Sequence, residues 1–207
     1  MLSANSTATP LSSARARRDQ RLADRPIASA LPTRLRSADL LRLTDQGAED
    51  VLAGKYDHLL PEGGTWPTEN RWAVRLSSDD DVDVWLISWV PDQSTELHDH
   101  AGSLGALTVL SGALSEFRWT GSELRQRTLE AGDQASFPIG WVHDVMRAPG
   151  PYGAVGPDSK PAPSDPTLSV HAYSPPLTAM SYYEVTDHNT IRRTRSQLTD
   201  QPEGDLK

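Results

Sequence analysis

An antiparallel all-β sandwich or barrel with at least one helix packed outside it is the fold class the sequence predicts, and three observations predict it. From residue 71 to 185 the chain is a succession of short runs rich in Val, Leu, Ile and Trp, each bounded by Gly, Pro or Asp, with no helical period between them. Ahead of these runs lies a single stretch whose apolar residues recur at helical spacing. Finally, 207 residues suffice for one domain with a core, while 37% hydrophobic residues and a mean hydropathy of −0.52 are low for a wholly compact chain. Part of the chain is therefore expected to lie outside the fold.

Residues 1–37 are the first candidate for that part. They are rich in Ser, Ala, Thr, Pro and Arg, including Arg15, Arg17, Arg18, Arg21 and Arg25, and hold no persistent apolar period, so a disordered arm is expected. An organelle transit peptide would be poorer in acid than a stretch carrying Asp19 and Asp24. The domain is expected over 38–190. Ser37 is placed to cap a helix in which Leu40, Leu43, Ala48, Val51 and Leu52 form one apolar stripe, ending at Gly54. Residues 61–70, with two prolines and two glycines, read as loop.

Strands follow at Arg71–Leu76 and, after an acidic turn, at Val82–Val90. Pro91 and Asp92 lead into a strand at His98, which Leu104–Leu110 is expected to continue. Gly112 turns the chain into Ala113–Trp119. Further strands are expected at Leu124–Leu129, Gln134–Phe137, Val142–Met146, Thr167–Tyr173 and Ala179–Val185. Between Arg147 and Pro166 lies a Gly- and Pro-rich connection, read as a surface insertion, and 191–207 reads as a polar, frayed tail.

Charge and composition narrow the function. A net charge of −8 and a pI near 5.2 offer a nucleic-acid backbone no electrostatic attraction. No apolar run is long enough for a bilayer and no charged-then-apolar leader opens the chain, so a soluble, cytoplasmic monomer is expected. The absence of cysteine excludes disulfides, thiolate metal sites and a thiol nucleophile.

The chemistry concentrates between Glu96 and Gly112. His98 and His100 are two apart on an extended segment, so both imidazoles leave the same face while Asp99 leaves the other. That is two thirds of a metal site. With six histidines in the chain, few third ligands exist. His143 follows Gly132, Pro138 and Gly140, residues that allow tight turns and stiffen the entry to its strand. Glu96 shares the parity of His98 and reads as solvated, as do His58 and His188.

These motifs resemble those of the cupins, small jelly-roll β-barrels. His98, His100 and Gly112 match the first cupin motif, and Gly132, Pro138, Gly140 and His143 match every spacing of the second. The general pattern adds a glutamate four or five residues after the second histidine, where this chain has Leu104 and Gly105. Three neutral imidazoles leave a divalent ion its full charge, which favours an anionic donor such as a thiolate in the open positions.

A second resemblance, to the cysteine dioxygenases, rests on Ser169-Val170-His171-Ala172-Tyr173-Ser174-Pro175-Pro176. Alternation puts Ser169, His171 and Tyr173 on one face. The resemblance implies Fe(II) held by His98, His100 and His143, the Ser169–His171–Tyr173 triad beside it, a cis Ser174–Pro175 bond, and an arginine, Arg75 or Arg71, on the substrate carboxylate. Of the two, Arg75 is the first choice because it lies nearer the strand hairpin that leads to His98. Gly105 occupies the position of the cysteine that animal members crosslink to the tyrosine, so this chain is of the bacterial type. The implied reaction adds both atoms of O₂ to the thiol of L-cysteine. Alternatives are a 3-mercaptopropionate dioxygenase, a zinc or manganese cupin, and a non-catalytic ligand-binding cupin.

Overall fold

The computed structural model describes residues 35–149 and 166–202, all within one compact unit that runs from Pro32 to Lys207. Most of the arm expected over 1–37 and the connection at 150–165 lie outside the described residues. Helix α1 (Ser37–Leu52) buries Leu40, Thr44, Gly47, Ala48 and Val51, which recur every three or four residues and form one stripe. Ser37 is its first helical residue instead of its cap; Arg36 takes the cap position and donates its backbone N–H to the Asp39 carboxylate at 3.0 Å. A carboxylate one turn in satisfies the helix start as well as a capping hydroxyl would.

Among the described residues eleven strands follow: β1 (Trp72–Ser78), β2 (Asp83–Trp89), β3 (His98–Asp99), β4 (Leu104–Ser111), β5 (Ala113–Trp119), β6 (Leu124–Glu130), β7 (Gln134–Phe137), β8 (His143–Arg147), β9 (Thr167–Ser174), β10 (Ala179–Val185) and β11 (Ile191–Leu198). They form two antiparallel sheets, ordered β1-β2-β9-β4-β7 and β11-β10-β3-β8-β5-β6. Inward-facing Ile87, Leu107, Leu114, Phe137, Val145 and Met180 pack into one core between them. The other face of the five-stranded sheet packs Leu86, Ala106, Val170 and Ala172 against α1. Covered on both faces, β2 and β9 are buried along their whole length; in β9 the polar Ser169, His171 and Tyr173 take one face, while Leu168, Val170 and Ala172 join the core under α1. At Gly47 an added Cβ would stand 2.9 Å from Val170 Cγ1, so glycine is what lets the helix approach this closely.

Three local expectations are corrected. The His98 strand does not continue into Leu104: β3 belongs to the six-stranded sheet and β4 to the five-stranded one. The Asp99 carboxylate accepts the Ala101 N–H at 2.9 Å and Ala101 takes a φ of 50°, a local turn that ends the strand. Gly112 likewise carries the chain from one sheet to the other, since β5 pairs with β6 and β8 and not with β4. The tail beyond Ile191 is strand β11, paired with β10 from Val185 to Ala179. Its polarity reflects its place at a sheet edge, where side chains such as Arg192, paired with Glu184, stand in solvent.

Candidate metal centre

Short as it is, β3 sits between β10 and β8, and its register pairs His98 with both Tyr182 and His143. Directly paired residues share a face, so the ladder itself sets two imidazoles side by side. His100 adds the third. One ring nitrogen from each of His98, His100 and His143 lies within 4.8 Å of the others, and all three residues are buried.

The hydrogen bonds fix which nitrogens face inward. His98 Nδ1 lies 2.9 Å from the carbonyl oxygen of Glu96, which can only accept, so Nδ1 carries the proton and Nε2 keeps its lone pair. His143 Nδ1 donates to the Glu116 carboxylate at 3.1 Å, with the same result. The Nε2 atoms of His98 and His100 stand 3.2 Å apart. Two nitrogens each ~2.1 Å from a common ion, at angles between square and tetrahedral, lie roughly 3.0–3.4 Å apart. The three-imidazole donor set and the His98–His100 separation fit a divalent transition metal.

Glu116 is the residue that sequence reasoning missed. It is fully buried on β5, on the inward side with Leu114. Burial alone would push its carboxyl up, yet the hydrogen bonds from His143 and Arg127, with the charge of Arg127, hold it below its ordinary value. Trp141 Nε1 donates to the same oxygen as His143, at 3.3 Å. The available signal was a lone acid at an inward position of a predicted strand.

Facing the imidazoles from the five-stranded sheet is a second buried row. The rings of His100 and Tyr173 are 5.0 Å apart. Tyr173 Oη lies 3.1 Å from His171 Nδ1, and His171 Nε2 lies 2.9 Å from Ser169 Oγ. Trp89 Nε1–H donates to the same Ser169 oxygen at 2.8 Å. Indole can only donate, so of the two partners of this buried hydroxyl only His171 Nε2 can accept its hydrogen. His171 Nδ1–H then donates to Tyr173 Oη, which leaves the phenolic hydrogen for a partner beyond the relay. Trp89 sets the direction of the chain. At Gly105 an added Cβ would lie 3.4 Å from His100 Nδ1 and 3.5 Å from Tyr173 Cδ1, so glycine keeps the space between the two rows open. The Ser174–Pro175 bond at the end of β9 is cis.

The two arginines differ sharply. Arg75 pairs with Asp200 at 3.2 Å, its side chain 38% exposed, and lies over the Trp85 ring. Arg71 is buried, with its guanidinium carbon 5.6 Å from the Trp89 ring, next to the relay. Glu96 turns outward to Arg195 at 2.6 Å, and His58 and His188 are exposed.

With this geometry in place, a family model described as cysteine dioxygenase type I matches residues 67–186, more than half of the chain and every residue of both rows. The chain belongs to the cysteine dioxygenase type I family. Among solved structures, KdgF from a Halomonas species is 15% identical, covering 54% of this chain and 85% of its own with a TM-score of 0.39. A double-stranded β-helix protein from Klebsiella pneumoniae is 19% identical over 63% of this chain and 90% of its own, TM-score 0.40. A cupin superfamily protein from Desulfitobacterium hafniense is 11% identical over 53% and 82%, TM-score 0.40. No curated protein matches. As a cysteine dioxygenase family member, the chain has the all-β cupin architecture, and none of its described helices is long and apolar enough to cross a membrane.

Proposed function

We propose that this protein is a thiol dioxygenase that converts a small carboxylate-bearing thiol, L-cysteine first, to its sulfinic acid. The thiol and one O₂ supply every atom of the product, R–SO₂H, and the sulfur is what is oxidised. The observation that carries the reading is the pairing of two buried rows: three imidazoles with their inner nitrogens convergent and no acidic residue in the group, and a directed relay ending in the Tyr173 phenol.

In this reading His98, His100 and His143 hold iron(II). Once bound, the metal would supply the Lewis acidity that ionises a thiol and the redox activity that O₂ chemistry requires. The protein's own part is orientation. His171, fixed by Ser169 and Trp89, holds the Tyr173 oxygen so that the phenol acts as a donor toward substrate oxygen or sulfur. Phe137, Leu107 and Trp85 exclude water around the relay.

Arg71, not Arg75, is the carboxylate partner in this proposal. A buried guanidinium beside the relay grips an anion in low dielectric, whereas Arg75 is half in solvent and tied to Asp200. Arg71→Met should raise KM for cysteine by roughly 10–100-fold, the worth of a charge-assisted hydrogen bond, and Arg75→Met by less than about twofold.

The test of the function is aerobic incubation of iron-loaded protein with cysteine and, separately, 3-mercaptopropionate, following oxygen uptake and the sulfinate by mass spectrometry. Stoichiometric uptake and sulfinate with one thiol supports the reading and names the substrate. No uptake with either thiol at full iron loading removes it.

A further inference from the structure

Glu116 has no role in the relay or in substrate binding as proposed, yet it is fully buried and held by three side-chain donors. An ionised carboxylate buried without compensation costs several kcal/mol in ordinary circumstances. Here both oxygens are occupied: His143 Nδ1 and Trp141 Nε1 donate to Oε1, and Arg127 Nε donates to Oε2 across the β5–β6 ladder. Arg127 reaches it from the solvent side, with 46% of its side chain exposed, while the carboxylate itself is sealed. His98, by contrast, rests on a neutral backbone carbonyl. At Nδ1, one of the three imidazoles therefore meets a full negative charge and another meets a carbonyl dipole.

We propose that Glu116 is a positioning residue for the metal centre, locking His143 as the Nδ1–H tautomer and making its Nε2 a stronger donor. The inference rests on the three-histidine metal reading and not on the dioxygenase chemistry. It accounts for the missing ligand at Leu104 and Gly105. A carboxylate bonded to the metal would fill a coordination position; the same charge placed one hydrogen bond away offsets part of the ion's charge and leaves that position open. Arg127 and Trp141 keep the carboxylate turned toward His143.

Two measurements test this without thiol or oxygen, so that absence of dioxygenase turnover leaves the result standing. The first is the affinity for cobalt(II), by competition with a chromophoric chelator. Glu116→Gln keeps the shape and an acceptor oxygen but removes the charge, and should weaken cobalt binding roughly 10–100-fold, with the metal-free protein still folded by circular dichroism. The second is the His143 tautomer in metal-free protein, read from long-range proton–nitrogen correlations. The wild type should be Nδ1–H, and Glu116→Leu should shift His143 toward Nε2–H. Cobalt affinity of folded Glu116→Gln within about twofold of wild type overturns the proposal, and so does an Nε2–H tautomer in the wild type. If Glu116→Leu does not fold, Glu116→Gln and the wild-type tautomer decide the question.

Discussion

The barrel holds two sets of buried histidines, and they are built in opposite ways. In the six-stranded sheet, His98 and His143 spend their outer nitrogens on acceptors behind them, Glu96 O and the Glu116 carboxylate. Their inner lone pairs are left to converge with that of His100. In the five-stranded sheet, His171 is equally buried, but both its nitrogens are taken by hydroxyls of its own strand. One arrangement offers lone pairs to a cation, and the other passes hydrogen-bond direction along a strand. Burial and residue type are the same; the placement of the hydrogen-bond partners makes the difference.

Breaking each set should therefore give different failures. His143→Ala removes a donor from the cage, and metal affinity should fall by more than about 100-fold, beyond what changes behind the ligands produce. Metal content after dialysis checks it; a variant that retains a full equivalent would mean the cage is not the metal site. Tyr173→Phe should leave metal content unchanged and lower turnover by roughly 10²-fold, the loss of one donor aimed at developing charge. Steady-state oxygen uptake on metal-matched protein separates the two. Trp89→Phe keeps a ring in place but removes the N–H that orients Ser169, so about 1 kcal/mol of ordering is lost and turnover should drop roughly fivefold. In that variant Ser169 is free to accept from His171, and the His171 tautomer should become mixed by the same nitrogen correlations.

Much of this was legible because strand parity is local. The His98–His100 spacing, the Ser169–His171–Tyr173 spacing and the run of short strands all follow from a period of two, and the structure brings both groups into the barrel interior. What was hidden depends on which strands become neighbours. Glu116 meets a histidine 27 residues away through the β5–β8 ladder, a pairing no local pattern reveals. Arg75 on β1 and Arg71 just ahead of it share one parity with Ala73, so alternation could not choose between them. What separates them is a long-range neighbour: Arg75 pairs with Trp85 on β2, whereas Arg71, just ahead of β1, lies over the Trp89 ring. The breaks at Ala101 and Gly112, which move the chain between sheets, look like ordinary turns in sequence. β11 was hidden because an edge strand needs no apolar face.

The contrast between the sheets extends to their buried carboxylates, and there the effect is smallest. Glu116 has the Arg127 cation and two further N–H donors at hand, and its carboxyl is held below its ordinary value. Asp83, on β2 opposite Tyr173, is 1% exposed, and burial pushes its carboxyl up, only partly opposed by the Trp85 N–H and the nearby charge of Arg75. A folded pKa above the unfolded one means the folded protein binds the extra proton. Asp83 thus contributes stability fully below the ordinary value of 3.8, and that contribution is lost as pH rises through the elevated folded pKa. At neutral pH the ionised group is a net cost. Asp83→Asn is neutral at every pH and keeps an oxygen for the Trp85 indole, now 2.9 Å from Oδ2. It should stabilise the protein by about 1 kcal/mol at pH 7, or roughly 2–4 °C in Tm, and by nothing measurable near pH 3. Calorimetric melts of the metal-free proteins at the two pH values check the sign. A loss of stability at pH 7 would mean that the charge of Asp83 is itself needed, as a partner for Arg75, and the two sheets would then hold their carboxylates alike.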